Sequence, residues 1–546
     1  MGSFLNPGNV LFFEDVNSEI YVDKTPLIDV VNKKIRTKQK CMCVSRPRRF
    51  GKTMAMNMLA AYYSRGCDSR EFFAGRKITK AASYPEHLNK HNVIRINMQV
   101  ALSFAKDIGD MLQSLQRDII DDCLEEYPDL PYRDKDNVVK VMETVYRYGK
   151  TAFIILIDEW DCIFREYRED KEAQDKYLDF LRAWLKDQEY VGLVYMTGIL
   201  PIKKYGTHSA LNMFTEYSMT NPGELAPFFG FTEAEVQELC REYRMDFTET
   251  KAWYDGYELA GELDQPGYSI YNPKAVSEAM LRRRFDTYWN QTETYEALKA
   301  YIQMNFDGLK DAVVTMMAGG AVQININTFV NDMTTFHGRD DVLTLLIHLG
   351  YLTYDADREE VFIPNREVAK EYYNAVSTMD WQNVMTAIIE SKKLLQAMLD
   401  GQADVIAAGI DKVHEEISIL KYNDENSLSC VVGMAFYIAR EYYQIVREMP
   451  AGKGFADIVF LPLPHHGDKP AILIELKWDQ MADTAIRQIH EKRYTGALLG
   501  YAGNAILAGI SYDKAAKKHS CVIEKYPKLQ LQIGHFVKKV TTSYFI

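Results

Sequence analysis

At 546 residues the chain is longer than a single hydrophobic core supports, and roughly three domains are expected. Its hydrophobic content of 47% and charged content of 26% are those of an ordinary globular protein, and no apolar run approaches the ~20 residues of a membrane helix, so no membrane partner is expected. The net charge of −12 argues against a chain coated in nucleic acid, but residues 421–546 hold 16 Lys+Arg against 12 Asp+Glu, which leaves the C-terminal part as the one whose charge invites a phosphate backbone.

The first ~225 residues alternate short apolar runs with amphipathic stretches, the α/β pattern of a parallel sheet. Strands are expected at Lys40–Val44, Val93–Met98, Ala152–Ile157, Val191–Thr197 and Phe214–Met219, with helices at Met54–Ser64, Ala105–Tyr127 and Lys171–Glu189. From about Pro227 the pattern turns mainly helical. Thr232 with Glu235 three residues on marks a capping box. Trp253–Asn272 is broken by Gly and Pro into a loop or hairpin, and Val342–Tyr354 followed by Val361–Pro364 resembles a winged helix. Its expected tip carries Asp355, Asp357, Glu359 and Glu360, which favours packing over DNA reading. Residues 381–420 form a helical connector. A second α/β unit follows: helix Glu425–Tyr443, strands Ala456–Leu461 and Ala471–Lys477, helix Thr484–Tyr494 and strand Asn504–Ser511. The expected domains are 1–225, 226–370, 371–420 and 421–546.

The eight cysteines form no C-x-x-C pair, and Cys41 and Cys43 sit on an expected buried strand, where packing explains them better than a metal. With no charged-then-apolar leader at the N-terminus, a reduced, cytoplasmic setting is expected.

Two segments carry phosphate chemistry. Ser45–Thr53 (SRPRRFGKT) follows the first expected strand and precedes a helix. Such a loop turns backbone N–H groups toward an anion at a helix start, with a Lys for the β/γ-phosphates and a Thr hydroxyl for Mg²⁺. Gly51, Lys52 and Thr53 supply that ending, while Arg46 stands where the general pattern has its first Gly. Phe153–Glu159 (FIILIDE) supplies the second half: Asp158 for Mg²⁺ and Glu159 to polarise the attacking water. Thr197, ending the next strand, is a candidate sensor of the γ-phosphate, with an ordinary strand-terminal Thr as the alternative. Arg48 and Arg49 are candidate phosphate donors, with a solvated basic turn as the alternative. ATP is the expected cofactor.

The chain resembles bacterial AAA-ATPase-like proteins coupled to a PD-(D/E)XK nuclease-like domain. The resemblance rests on Tyr21–Thr25 (YVDKT), Arg46–Thr53 (RPRRFGKT), Leu156–Asp161 (LIDEWD), Thr197–Ile199 (TGI), Tyr254–Tyr257 (YDGY) and Gly350–Leu352 (GYL), and spans nearly the whole chain. It implies a P-loop NTPase sheet, a helical and winged-helix-like middle and a C-terminal PD-(D/E)XK nuclease-like α/β domain. It makes Arg46 the family's own variant and brings Phe50 into the binding loop.

The nuclease expectation rests on Asp457 and on Glu475 and Lys477 in AILIELK. Alternation puts Glu475 and Lys477 on one face, and a hairpin would set Asp457 beside them. Two carboxylates can hold Mg²⁺ against a phosphodiester, with Lys477 orienting the water; an exposed Glu/Lys pair on an edge strand is the alternative. The resemblance adds Gln488 as a supporting residue and Glu425 as a further metal ligand, with a plain N-terminal helix charge as the alternative for Glu425, and Phe455 stands where related proteins carry an Arg. DNA or RNA is the expected partner. Three functions compete: an ATP-regulated, Mg²⁺-dependent nuclease, an NTP-dependent switch or scaffold that binds nucleic acid uncut, and a remodelling ATPase. Arg282–Arg284 is the candidate arginine finger, with a basic helix end as the alternative, so homo-oligomerisation is left open.

Overall fold

The computed structural model describes residues 4–202, 211–261, 266–289, 295–304, 306–330, 333–416, 425–494, 498 and 503–526. The chain divides into two compact units, one of Met1–Met245, Tyr254–Thr292 and Gln323–Pro364, the other of Asp246–Trp253, Glu293–Val322 and Asn365–Ile546. Among the described residues no helix is long and apolar enough to cross a membrane.

The first unit is built on a parallel sheet of Cys41–Ser45 (β1), Asn92–Asn97 (β2), Phe153–Asp158 (β3), Val191–Gly198 (β4) and Thr215–Tyr217 (β5), in the order β2-β3-β4-β1-β5. All residues of β1, β3 and β4 are buried, as a parallel strand covered on both faces requires. The helix after β1 starts at Lys52, two residues earlier than expected, because Gly51 caps it in the left-handed region at φ 89°. Its residues Lys52–Tyr63 (KTMAMNMLAAYY) are rich in Ala and Met and buried around most of the circumference, so the helix belongs to the core. The expected helix from Ala105 begins instead at Ile108, where Asp107 caps it, and a separate short helix, Met98–Ser103, follows β2 directly.

Four sequence features beyond the sheet resolve into local structure. The Thr232/Glu235 capping box forms and opens helix Glu233–Tyr243. Tyr257–Leu259 and Tyr268–Tyr271 pair as an antiparallel hairpin. Helix Arg339–Leu349 ends at Gly350 and is followed by the hairpin Thr353–Asp355/Glu360–Phe362, the expected helix-and-wing. At its tip Asp355 accepts the N–H of Asp357 and Arg358, so this acid serves the turn.

The second unit holds a five-stranded mixed sheet of Tyr443–Ala451 (β6), Gly454–Pro462 (β7), Ala471–Trp478 (β8), Ala505–Asp513 (β9) and Lys518–Tyr526 (β10). They lie in sequence order, antiparallel except for the parallel β8–β9 pair. The expected helix Glu425–Tyr443 is corrected: it stops at Ala435, a 3₁₀ turn covers Tyr437–Glu441, and Tyr443 begins β6. Both β6 and β10 escaped the sequence because they are outer strands, largely half-exposed and rich in polar residues. Helices Gln382–Asp400 and Ala403–Glu416 belong to this unit, while 417–424 lie outside the described residues.

Candidate functional site

In the first unit a cavity of about 860 Å³ opens over the start of helix Lys52–Tyr63, lined by Arg48–Ala55 and Glu159 on one side. Ile20, Tyr21, Phe228 and Phe231 give it an apolar wall, and Lys274 and Ser277 reach it from a helix that sequence reasoning did not assign to the site.

The loop is held by its own residues. The Lys52 ammonium donates to the carbonyls of Arg46 and Pro47, both at 2.8 Å. Burial pushes its pKa below the ordinary value, against the pull of Glu159, Asp158 and Asp161. The Arg46 side chain is fully buried and donates to Ser45 O and Tyr217 O, each at 2.9 Å, with its guanidinium 5.5 Å from the Phe229 ring. Arg46 thus fastens the loop to the end of β5, which a glycine cannot do. The Phe50 ring is buried edge-on to Tyr257 at 5.1 Å, so it anchors the loop from inside the fold. Arg48 is half-buried and Arg49 exposed, and both line the cavity.

Thr53 donates to Asp158 Oδ2 at 3.0 Å, and Thr197 donates to Asp158 Oδ1. Asp158 therefore sits where β1's helix, β3 and β4 meet, and Thr53 and Asp158 supply the hard oxygen donors that Mg²⁺ takes. Glu159 follows with φ 54°, a conformation uncommon outside Gly and Asn. Burial raises its pKa against the opposing charge of Lys52. One of its oxygens is bound by Arg165 at 2.5 Å, a residue absent from the sequence assignment although it lies one turn beyond Asp161.

Of the other motifs, Tyr21, Val22 and Lys24 reach the cavity wall. Asp23 accepts from Thr25 N at 2.9 Å, Thr25 Oγ1 at 2.6 Å and Lys77 N at 2.8 Å. Lys24 donates to Pro227 O at 2.7 Å and to Glu235 at 2.6 Å, the same Glu that closes the capping box. Gly350 has φ 87°, and a Cβ there would come within 2.9 Å of Pro47. Its carbonyl accepts from the Tyr257 hydroxyl at 3.0 Å. The run Arg282–Arg284 is a helix C-terminus: Arg282 pairs with Glu278 at 2.6 Å and Arg284 with Asp286 at 3.0 Å.

In the second unit β7 and β8 bring three of the sequence-selected residues together. Asp457 Oδ2 accepts the N–H of Leu476 at 2.7 Å, and Lys477 Nζ donates to Glu475 Oε1 at 3.1 Å and Leu476 O at 2.8 Å. Gln488, from helix Ala482–Glu491, also donates to Glu475 Oε1, and to the Tyr494 hydroxyl at 3.2 Å. Glu475 is 1% exposed and its Oε2 has no donor. Burial pushes its pKa up to about 7, helped by Asp457 and opposed by Lys477. Burial also raises Asp457, which feels the charges of Glu425 and Glu448. A buried, donorless carboxylate oxygen beside a second carboxylate fits a divalent cation. Among the described residues no group of three or more His, Cys, Asp or Glu side chains is placed to hold a metal, so Glu425, expected as a further ligand, is not gathered with Asp457 and Glu475 into such a group. Phe455 is 61% exposed two residues before Asp457.

Residues 13–207 match the family described as predicted AAA-ATPase, and residues 423–520 match the PD-(D/E)XK nuclease superfamily. An uncharacterized protein in the vnfD 5' region of Azotobacter chroococcum mcd 1 is 24% identical over 262 residues, 46% of this chain. The match spans 47% of that relative's length, under half. Among solved structures, the Aeropyrum pernix ORC2 protein (ADPNP-ADP complexes) aligns with 65% of this chain and 94% of its own at 9% identity and a TM-score of 0.24. The ORC1 protein of the same organism in complex with DNA aligns with 69% and 97% at 14% identity and a TM-score of 0.25. Cdc6p of Pyrobaculum aerophilum aligns with 69% and 99% at 9% identity and a TM-score of 0.21. Scores this low carry no inference.

Proposed function

For a chain that joins an AAA-ATPase-like domain to a PD-(D/E)XK nuclease-superfamily domain, we propose an ATP-hydrolysing protein whose C-terminal domain is a Mg²⁺-dependent nuclease acting on DNA or RNA. The observation that carries it is the pairing of two sites in one chain: Lys52 and Thr53 lining a cavity with Asp158 hydrogen-bonded behind Thr53, and Asp457, Glu475 and Lys477 meeting on adjacent strands.

In the first site the N–H groups of the loop and the Lys52 ammonium bind the β- and γ-phosphates, and Arg48 and Arg49, which line the cavity, would add donors. Thr53 and Asp158 would hold Mg²⁺, and Thr197 ties Asp158 to β4. The metal neutralises phosphate charge when bound. Glu159 is the carboxylate that polarises the attacking water. In the second site Asp457 and Glu475 would hold a second Mg²⁺, which lowers the pKa of bound water when present. Lys477 stands beside them to orient that water and offset the charge that develops on the phosphodiester. Gln488 fixes the Glu475 carboxylate, and Glu425 contributes negative charge toward Asp457.

A second reading is a nucleic-acid-binding scaffold that does not cut. It draws support from Glu475, one of whose oxygens is already taken by Lys477 and Gln488. Cleavage of single- and double-stranded DNA and RNA in Mg²⁺ or Mn²⁺, with and without ATP, separates the two. Cleavage that disappears in Asp457→Ala and Lys477→Ala, with ATP affinity unchanged, is the expected result. Binding without cleavage by the wild type under every condition establishes the scaffold.

A further inference from the structure

Two residues along β7 from Asp457 stands an aromatic ring that the fold leaves in solvent. Side chains alternate along a strand, so Phe455, Asp457 and Val459 share the face that carries Leu473, Glu475 and Lys477 of β8. Ala456 and Ile458, on the other face, are buried, whereas Phe455 is 61% exposed. A strand rises about 3.3 Å per residue, which puts Phe455 roughly 7 Å along β7 from Asp457. Its partner across the ladder, Pro450 of β6, is also exposed and lies on the same face. Ring and pyrrolidine make a small apolar shelf at the rim of the carboxylate site.

The shelf is fixed from beneath. The turn between β6 and β7 is Gly452-Lys453, and Lys453 N donates to Lys492 O at 2.9 Å. A Cβ on Gly452 would run into that same carbonyl, and a Cβ on Gly454 would stand 2.9 Å from the Tyr494 hydroxyl. Both positions are therefore pressed onto the segment that follows helix Ala482–Glu491. The Tyr494 hydroxyl accepts from Gln488, which also donates to Glu475. Phe455, directly after Gly454, is thereby keyed to the carboxylate proposed for the metal. Lys453 on the turn, and Lys492 and Arg493 on the segment below it, are all exposed.

An exposed ring among cations, beside the carboxylates proposed to hold Mg²⁺, suits a nucleobase whose own phosphates meet the lysines and the arginine. Two apolar residues fall far short of the roughly 800 Å² that a protein partner covers on each side. Inside a duplex both faces of a base are covered by its neighbours, so only an unpaired base can offer a face to Phe455. We propose that Phe455 is a specificity-determining residue on which the base next to the scissile phosphate stacks, which makes an unpaired strand the substrate class of this domain. This rests on the reading of Asp457, Glu475 and Lys477 as the site that engages nucleic acid.

The test is binding of the full chain to fluorescent single-stranded and duplex oligonucleotides, DNA and RNA, by anisotropy in Ca²⁺, with cleavage in Mg²⁺ resolved into KM and kcat. Phe455→Ala is expected to weaken single-strand binding and raise KM roughly tenfold, at unchanged kcat and unchanged duplex affinity. Phe455→Trp, which keeps a stacking face, retains the single-strand affinity. An abasic nucleotide beside the cleaved phosphate weakens the wild type by the same factor and adds no further loss to Phe455→Ala. Single-strand affinity that Phe455→Ala leaves unchanged, or an equal loss on the duplex, overturns the inference. If the wild type binds and does not cleave, the nuclease reading fails, while a single-strand preference that depends on Phe455 still upholds the stacking. If it binds no nucleic acid at all, the reading of the site fails, and the stacking with it.

Discussion

Arg46 offers the sharpest test of how this phosphate loop dispenses with its first glycine. Restoring the general pattern with Arg46→Gly removes two hydrogen bonds from a charged donor, to Ser45 O and Tyr217 O at 2.9 Å, each contributing about 1.5–3 kcal/mol. It also removes the guanidinium from over Phe229, a contact of roughly 1 kcal/mol. Against this stands the burial of a cation whose Nε and Nη2 have no partner and whose pKa burial pushes down to about 10, a cost of roughly 3 kcal/mol that the variant escapes. The balance favours arginine by about 1–4 kcal/mol, and the void and added backbone freedom of glycine raise the loss by about 1 kcal/mol more. Arg46→Met, which fills the space without donating, should lose less. Urea unfolding followed by the buried Trp160 and Trp184 of this unit gives the ranking wild type, Arg46→Met, Arg46→Gly. An Arg46→Gly protein as stable as the wild type, with unchanged ATP affinity, would refute the fastening role.

Lys52→Ala should abolish ATP binding measured by calorimetry while leaving the melting profile close to wild type, since it deletes a cation whose burial opposes its charge and whose hydrogen bonds go to two carbonyls; undiminished affinity would remove the loop assignment. Gly51→Ala meets no atom within 4 Å but must adopt φ 89°, so it should fold with a loss of about 1–2 kcal/mol and weaken nucleotide binding, seen by the same two measurements. Glu475 titrates near pH 7 because burial raises it above 4.5, so the native state holds a proton that the unfolded chain has lost. Its contribution to stability is therefore present below about pH 4.5 and is lost as pH rises through 7. The stabilisation given by Mg²⁺ should grow across the same window, and denaturation at pH 5 and pH 8 with and without the metal checks the sign.

Much of the first site was legible because its chemistry is local in sequence. Gly51-Lys52-Thr53 must lie at one helix start, and Asp158-Glu159 must end a buried strand. What sequence could not show is the reason for the surrounding motifs. Asp23, Lys24 and Gly350 act through Lys77, Glu235 and Pro47, partners 54, 211 and 303 positions away, and only the fold joins them. Arg165 was missed although Asp161 was part of a quoted motif, because a single Arg on a short helix carries no periodic signal. In the second unit the apolar β8 announced itself, whereas β6 and β10 read as polar and broken, and helix Glu425–Ala435 was extended to Tyr443, the first residue of β6, because aromatic residues at 436, 437, 442 and 443 continue its apolar character.

The alternation along β8 has a consequence for how the second unit assembles. Ala471, Leu473, Glu475 and Lys477 share one side, while Ile472, Ile474 and Leu476 occupy the other. A slip of one residue against β7 or β9 would exchange the two sets, driving a carboxylate and an ammonium into the opposite core and stranding three aliphatic side chains. The pair that makes the site chemically interesting thereby acts as a peg in the weave: the strand can be laid into its sheet in one alignment only, and a chain that misaligns it is marked by its own buried charges for unfolding and another attempt.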